Sequence, residues 1–172
     1  MLNGMTKWHP MQPCDETFFA TAPYVYRFPI DLPVPPERVW ESLTSERSVS
    51  AWGPGVQTVE WSSPRPFGIG TTRTVTLPLH SMTAHEQYFV WDEGKRHAFF
   101  LREANRGFLR RMAEDYLIEP SPSGCRFTWT FAIEPLPKTR GLLTIGSPIN
   151  RLAFGRMARS SKSYFAKHPS AD

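Results

Sequence analysis

Six short strand-like runs, set apart by clusters of Gly, Pro, Ser, Asp or Asn, fill residues 55 to 135, and nothing else in the chain constrains the fold as much. The runs are Gly55 to Trp61, Thr71 to Leu77, Thr83 to Trp91, Arg96 to Glu103, Phe108 to Ile118 and Arg126 to Ile133. The turns Asp92-Glu93-Gly94, Asn105-Arg106-Gly107 and Ser121-Pro122-Ser123-Gly124 each hold a residue that tolerates positive φ, so the later runs form hairpins of an antiparallel meander. Such a sheet must bury one apolar face, and only one other segment is long enough to cover it. That segment follows Ser147-Pro148, which reads as an N-cap and a proline at the first helical position. Its stripe is Ile149, Leu152, Ala153, Met157, Ser160, Ser161, Tyr164 and Phe165; Leu142, Leu143 and Ile145 are compatible with an earlier turn or two, with Gly146 as a kink or stop.

Upstream, Tyr24 to Ile30 alternates as a first strand, Pro35-Pro36 opens a short helix from Glu37 to Thr44, and Ser45 to Pro54 reads as a second short helix ending at a turn. Met1 to Ala22 reads as an arm in which prolines break any helix and Phe18 and Phe19 pack on the domain. The expected layout is therefore an arm over 1–22, one α+β domain over 23–168 and a tail over 169–172.

At 172 residues the chain can bury one sizeable core, and its 12 Phe, 6 Trp and 5 Tyr are many rings to place there. No run of 18 apolar residues exists to span a membrane, so integral membrane association is not expected. The first 22 residues lack the charged, apolar, small order of a signal peptide, which makes a cytoplasmic protein the expectation. Two cysteines, Cys14 and Cys125, form neither a disulfide framework nor a metal or redox pair, and the histidines at 9, 80, 85, 97 and 168 lack ligand spacing, so neither metal nor cofactor is expected. The net charge of +4 is unevenly placed: Lys138 to Ala171 carries seven Lys or Arg and no acid, whereas Met1 to Pro137 carries 13 basic and 15 acidic residues. No nucleic-acid-binding motif accompanies that basic segment, so it reads as a solvated face and not as a nucleic-acid site.

The element order, with Pro36-Glu37-Arg38-Val39-Trp40-Glu41-Ser42-Leu43, Trp52-Gly53-Pro54-Gly55-Val56, Gly68-Ile69-Gly70-Thr71-Thr72-Arg73-Thr74-Val75 and Gly124-Cys125-Arg126-Phe127-Thr128-Trp129-Thr130, resembles the START-like, Bet v 1-like superfamily, known in bacteria as the SRPBCC or polyketide cyclase/dehydrase family. The resemblance spans roughly Tyr24 to Phe165. It implies a helix-grip fold: a curved seven-stranded antiparallel sheet wrapped around the long C-terminal helix, with two short helices after the first strand and an apolar cavity between. Members bind lipids, sterols, plant hormones, flavonoids or polyketides, and some catalyse cyclisation or dehydration. No catalytic motif is common to them, so the resemblance supplies no reaction.

Candidate cavity residues follow. Phe127, Trp129 and Phe131 alternate on one face of the last strand, taken as the inner face, and Trp52, Met157 and Tyr164 join them; alternation alone cannot separate a cavity lining from a solid core. Met112, Glu114, Tyr116 and Ile118 share a face, on which a buried Glu114 beside the Tyr116 donor would have a raised pKa. Arg73, in phase with Val75 and Leu77, is an inward or rim candidate. The third run leaves its inner face open, and the resemblance decides it: in plant hormone receptors of the superfamily a Glu six residues before the turn acid lines the pocket, and Glu86 stands so before Asp92. With Glu86 inward, the hairpin sets Val90 opposite Ala98, Tyr88 opposite Phe100 and Glu86 opposite Arg102.

The leading expectation is binding of a hydrophobic or aromatic small molecule in an internal cavity, by a monomer or homodimer. A cyclase- or aromatase-type enzyme is a second, and requires at least two of Glu86, Arg102, Glu114 and Tyr116 to converge on one void. A protein-interaction module using the sheet or the basic helix is a third, and a large exposed apolar patch on the outer sheet face would favour it.

Overall fold

Alternating apolar residues build the sheet, and what covers its two faces positions the site. The computed structural model describes residues 6–52 and 55–170. The strands are β1 (His9–Pro10), β2 (Tyr24–Leu32), β3 (Thr58–Trp61), β4 (Thr72–Thr76), β5 (Thr83–Asp92), β6 (Arg96–Ala104), β7 (Leu109–Ser121) and β8 (Gly124–Pro135); the helices are α1 (Phe18–Thr21), α2 (Pro36–Thr44) and α3 (Arg140–Lys167). Seven strands run antiparallel in the order β2-β8-β7-β6-β5-β4-β3, and β1 pairs with β6 off that path. The segment after α2 is a 3-10 turn over Ser48–Trp52, and the Gly53-Pro54 end expected for it lies outside the described residues.

The arm covers the convex face. Pairing of β6 with β7 ends at Phe100 and Ala113, and the arm enters where the two strands part: His9 pairs with Ala104, and the Met11 and Gln12 amides donate to the Arg102 and Arg110 carbonyls. Phe18, 1% exposed, then packs with Cys14, Phe100, Ala113 and Ala132, under the Arg111 guanidinium. The outer face therefore offers no open apolar patch at this point.

One departure from periodicity decides what faces inward. Val90 pairs with Ala98 as expected, but Phe89 has no partner, so Tyr88 pairs with Phe99 and Glu86 with Leu101. A one-residue bulge exchanges the two faces of a strand relative to its neighbour. Phe100 and Arg102 consequently point outward: Phe100 packs with Phe89 and the arm, and Arg102 is exposed. Neither belongs to the cavity, and Glu86 meets no base on β6.

Helix α3 also differs from expectation. It begins at Arg140, after a Pro137–Thr139 turn, so Pro148 lies in its interior instead of at its start. Tyr24 and Tyr26 on β2 bind Thr144 and Ser147 there, the second pair at 2.9 Å. From Ile149 to Phe165 is 16 residues, which turns the helix face by about 160°. One stripe cannot therefore meet the sheet along its whole length. Gly155, Ala158, Ser161 and Phe165 are buried, while Leu142, Ile145, Ile149 and Leu152 are 60–82% exposed. Among the described residues no helix is long and apolar enough to cross a membrane.

Candidate functional site

Because α3 seals the sheet mainly through its C-terminal half, a cavity of about 760 Å³ remains between the concave face and the helix's first half. Its walls are apolar: Val75, Leu101, Met112 and Ile133 from the sheet, and Leu143 and Phe154 from α3. Exposed lining residues, Ser81, Arg106, Phe108 and Leu142, mark the mouth. Phe154 stacks on Phe131 with ring centroids 4.4 Å apart, which closes the β2 side.

The floor carries two buried polar groupings. In the first, Arg73 Nε donates to Glu86 Oε2 at 2.6 Å, and Arg73 Nη1 donates to Ser48 Oγ at 3.1 Å. Adjacent antiparallel strands make this pair, since Arg73 and Glu86 are direct partners in the β4–β5 register. The guanidinium lies 4.5 Å from the Phe99 ring centroid, with Trp61 and Tyr88 also around it. Burial raises the Glu86 pKa above the ordinary carboxylate value, and Arg73 works against that rise.

In the second grouping, Tyr116 Oη and Trp129 Nε1 both donate to Glu114 Oε2, at 3.0 and 2.8 Å. Tyr116 and Trp129 face each other across β7 and β8, and Glu114 stands one inward position away. The Glu114 carboxyl is pushed up to about 7, first by burial and then by the negative charge of Glu86; its two hydrogen bonds and Arg73 oppose the rise. Of the four side chains named for acid–base chemistry, of which at least two must converge, Glu86, Glu114 and Tyr116 reach one void and Arg102 does not.

Arg73, Glu86, Glu114, Tyr116, Trp129, Phe131 and Met157 thus line the cavity. Trp52 and Phe127 sit in the solid core beyond it, with the Trp52 ring edge-on to Phe127, Trp129 and Phe165. Tyr88 is buried behind Arg73, and Tyr164 lies at the far end of α3, stacked on His168. His97 is the residue that sequence reasoning missed: it is wholly buried among Trp40, Tyr88, Trp91 and Tyr116, and among the described residues neither ring nitrogen has a hydrogen-bond partner. Burial and the Arg73 charge hold its pKa well below the ordinary histidine value, so the ring is neutral. Its inward neighbours Phe99 and Leu101 were the available signal, but the hairpin register read without a bulge placed the opposite face of β6 inward.

A curved antiparallel sheet gripping a long C-terminal helix defines the helix-grip class of Bet v 1-like proteins. The model of the family described as polyketide cyclase / dehydrase and lipid transport matches residues 26–161, and the chain belongs to that family. An uncharacterized protein of Mycobacterium tuberculosis is 34% identical over 157 residues, covering 90% of this chain and 93% of that protein. Among solved structures, a Thermus thermophilus protein superposes with a TM-score of 0.68 at 19% identity, covering 86% of this chain and all of that one. The di-domain ARO/CYC of the steffimycin biosynthetic pathway gives 0.66 at 12% identity, over 83% of this chain and 51% of that one. A major latex-like protein of Panax ginseng gives 0.66 at 11% identity, over 86% and 98%.

Proposed function

We propose that the chain binds an apolar or aromatic small molecule in the cavity under α3. One observation carries the reading: a void of about 760 Å³ with almost wholly apolar walls ends on a floor of buried acids, which suits a ligand with an apolar body and one polar end. The family, whose description includes lipid transport, supports the same class. A neutral fluorescent probe, N-phenyl-1-naphthylamine, is expected to bind saturably at one site per chain. Ala153→Phe, on an exposed lining position of α3, is expected to weaken binding at least tenfold without changing the unfolding midpoint. Wild-type protein that fails to bind the probe saturably would remove this reading.

A second reading comes from the exposed stripe of Leu142, Ile145, Ile149 and Leu152 beside the mouth. Its spacing of three, four and three residues keeps the four on one helix face, and Lys138, Arg140 and Arg156 stand at its two ends. Two copies joined along this face would oppose bases with no acid between them, because residues 138–171 contain none. An anionic lipid surface answers both the apolar stripe and the charge. Sedimentation with phosphatidylglycerol vesicles but not with phosphatidylcholine vesicles, lost in the Ile145→Asn/Ile149→Asn double variant, is the expected result. Dimerisation in solution without sedimentation would assign the stripe to a second copy instead.

A further inference from the structure

The hydrogen-bonding valence left over at the cavity floor specifies the polar end of the ligand, an inference that rests on the binding reading above. The two donors beside Glu114 are already engaged, and the Arg73 guanidinium spends two of its N–H groups on Glu86 and Ser48. Tyr116 O–H and Trp129 N–H both go to Glu114 Oε2, and Arg73 Nε and Nη1 go to Glu86 Oε2 and Ser48 Oγ. Among the described residues the other oxygen of each carboxyl, Glu114 Oε1 and Glu86 Oε1, has no partner, and both residues line the void. With the two acids ionised, the open capacity on them is acceptor capacity.

Charge points the same way. Arg73 and Glu86 form a buried ion pair and cancel, which leaves Glu114 as the unbalanced group. Among the described residues the only other charged one lining the cavity is Arg106, exposed at the mouth, away from the floor. A ligand carboxylate at the floor would be a third negative charge against one guanidinium in a poorly solvated site, where repulsion is far stronger than in water. Glu86 and Glu114 line the same void, and the negative charge of Glu86 already works to raise the Glu114 pKa.

We propose that the cavity selects a ligand whose buried end is an alcohol or phenol donating its hydrogen bond to Glu114, and rejects the corresponding carboxylate. The hydroxyl supplies a donor to the open oxygen of Glu114, and a site built to accept a hydrogen bond discriminates against an analogue that cannot donate one.

Three probes of one shape test this at pH 8.5, where Glu114 is ionised: para-octylphenol, its methyl ether, and para-octylbenzoate, each competing with N-phenyl-1-naphthylamine. The phenol is expected to bind about ten- to a hundredfold more tightly than the ether, the span expected of a hydrogen bond to a charged acceptor. The benzoate is expected to bind more weakly than the phenol by at least as much. Glu114→Gln, which keeps an acceptor but removes the charge and adds a donor, is expected to narrow the phenol-to-benzoate gap at least tenfold. Equal binding of phenol and ether, or benzoate binding as tight as phenol, overturns the selection. Those outcomes leave fluorescent-probe binding intact, whereas failure of the binding reading abolishes it, so the two failures are separable.

Discussion

Replacing Arg73 by methionine is expected to destabilise the protein by about 3–5 kcal/mol, the usual cost of removing one partner from a buried ion pair. Arg73 is 1% exposed and Glu86 4% exposed, so the carboxylate left behind gains little from solvent. Methionine fills much of the arginine's stem volume among Trp61, Tyr88 and Phe99 but carries no charge. Against a typical total stability of about 5–15 kcal/mol the loss is large and is readable as a shift in the urea midpoint. The second substitution decides the cause. Arg73→Met with Glu86→Leu removes both charges, and this double variant is expected to recover most of the loss, because an apolar pair in such a site is often no worse than an ion pair. If the double variant stayed as unstable as the single one, packing around the guanidinium, and not the orphaned charge, would be what Arg73 provides.

The same strands show which parts of this molecule the sequence could reveal. From Arg111 to Ser121 the partners on β7 and β8 advance one for one without a shift. Phase read at any single position therefore holds along that stretch, so alternation groups Glu114 with Tyr116 and Trp129 with Phe131 on shared faces, and taking the ring-rich face of β8 as the inner one places all four inward. Hairpin β5–β6 fails for the opposite reason. Its turn is plain at Asp92-Glu93-Gly94, and pairing is as expected until Val90, but the unpaired Phe89 then exchanges the faces. Phe89, Phe100 and Phe19 pack together on the outer face, so the bulge is favoured by the arm, a segment far away in the chain. Period-two reasoning treats each strand alone and holds no record of that contact. Helix α3 repeats the lesson: its apolar residues announce a helix, yet which of them meet the sheet depends on where Tyr24 and Tyr26 fasten its first half.

Glu114→Gln is expected to make the protein more stable at pH 8, and the advantage is expected to vanish towards pH 5. The Glu114 pKa of about 7 lies above its ordinary value of 4.5, so between those values the native state binds more protons than the unfolded chain. A raised carboxyl pKa lowers stability as pH climbs through that window, by about 3 kcal/mol in all for a rise of this size. The wild-type curve alone does not display this loss, because His97 opposes it. A buried neutral histidine whose pKa is depressed binds fewer protons when folded, which raises stability as pH climbs towards 6.5. Over the stretch where both act, the two slopes have opposite signs and largely cancel. Glu86, also raised, adds to the Glu114 slope, and Arg73 remains charged throughout. The informative quantity is therefore the difference between Glu114→Gln and wild type at each pH, in which His97 drops out to first order. That difference is expected to grow from near zero at pH 5 to about 3 kcal/mol at pH 8, while the variant's own stability rises with pH as His97 is unmasked. A difference that stays constant from pH 5 to pH 8 would mean that Glu114 titrates as an ordinary, solvated carboxyl, and that the cavity floor admits water freely.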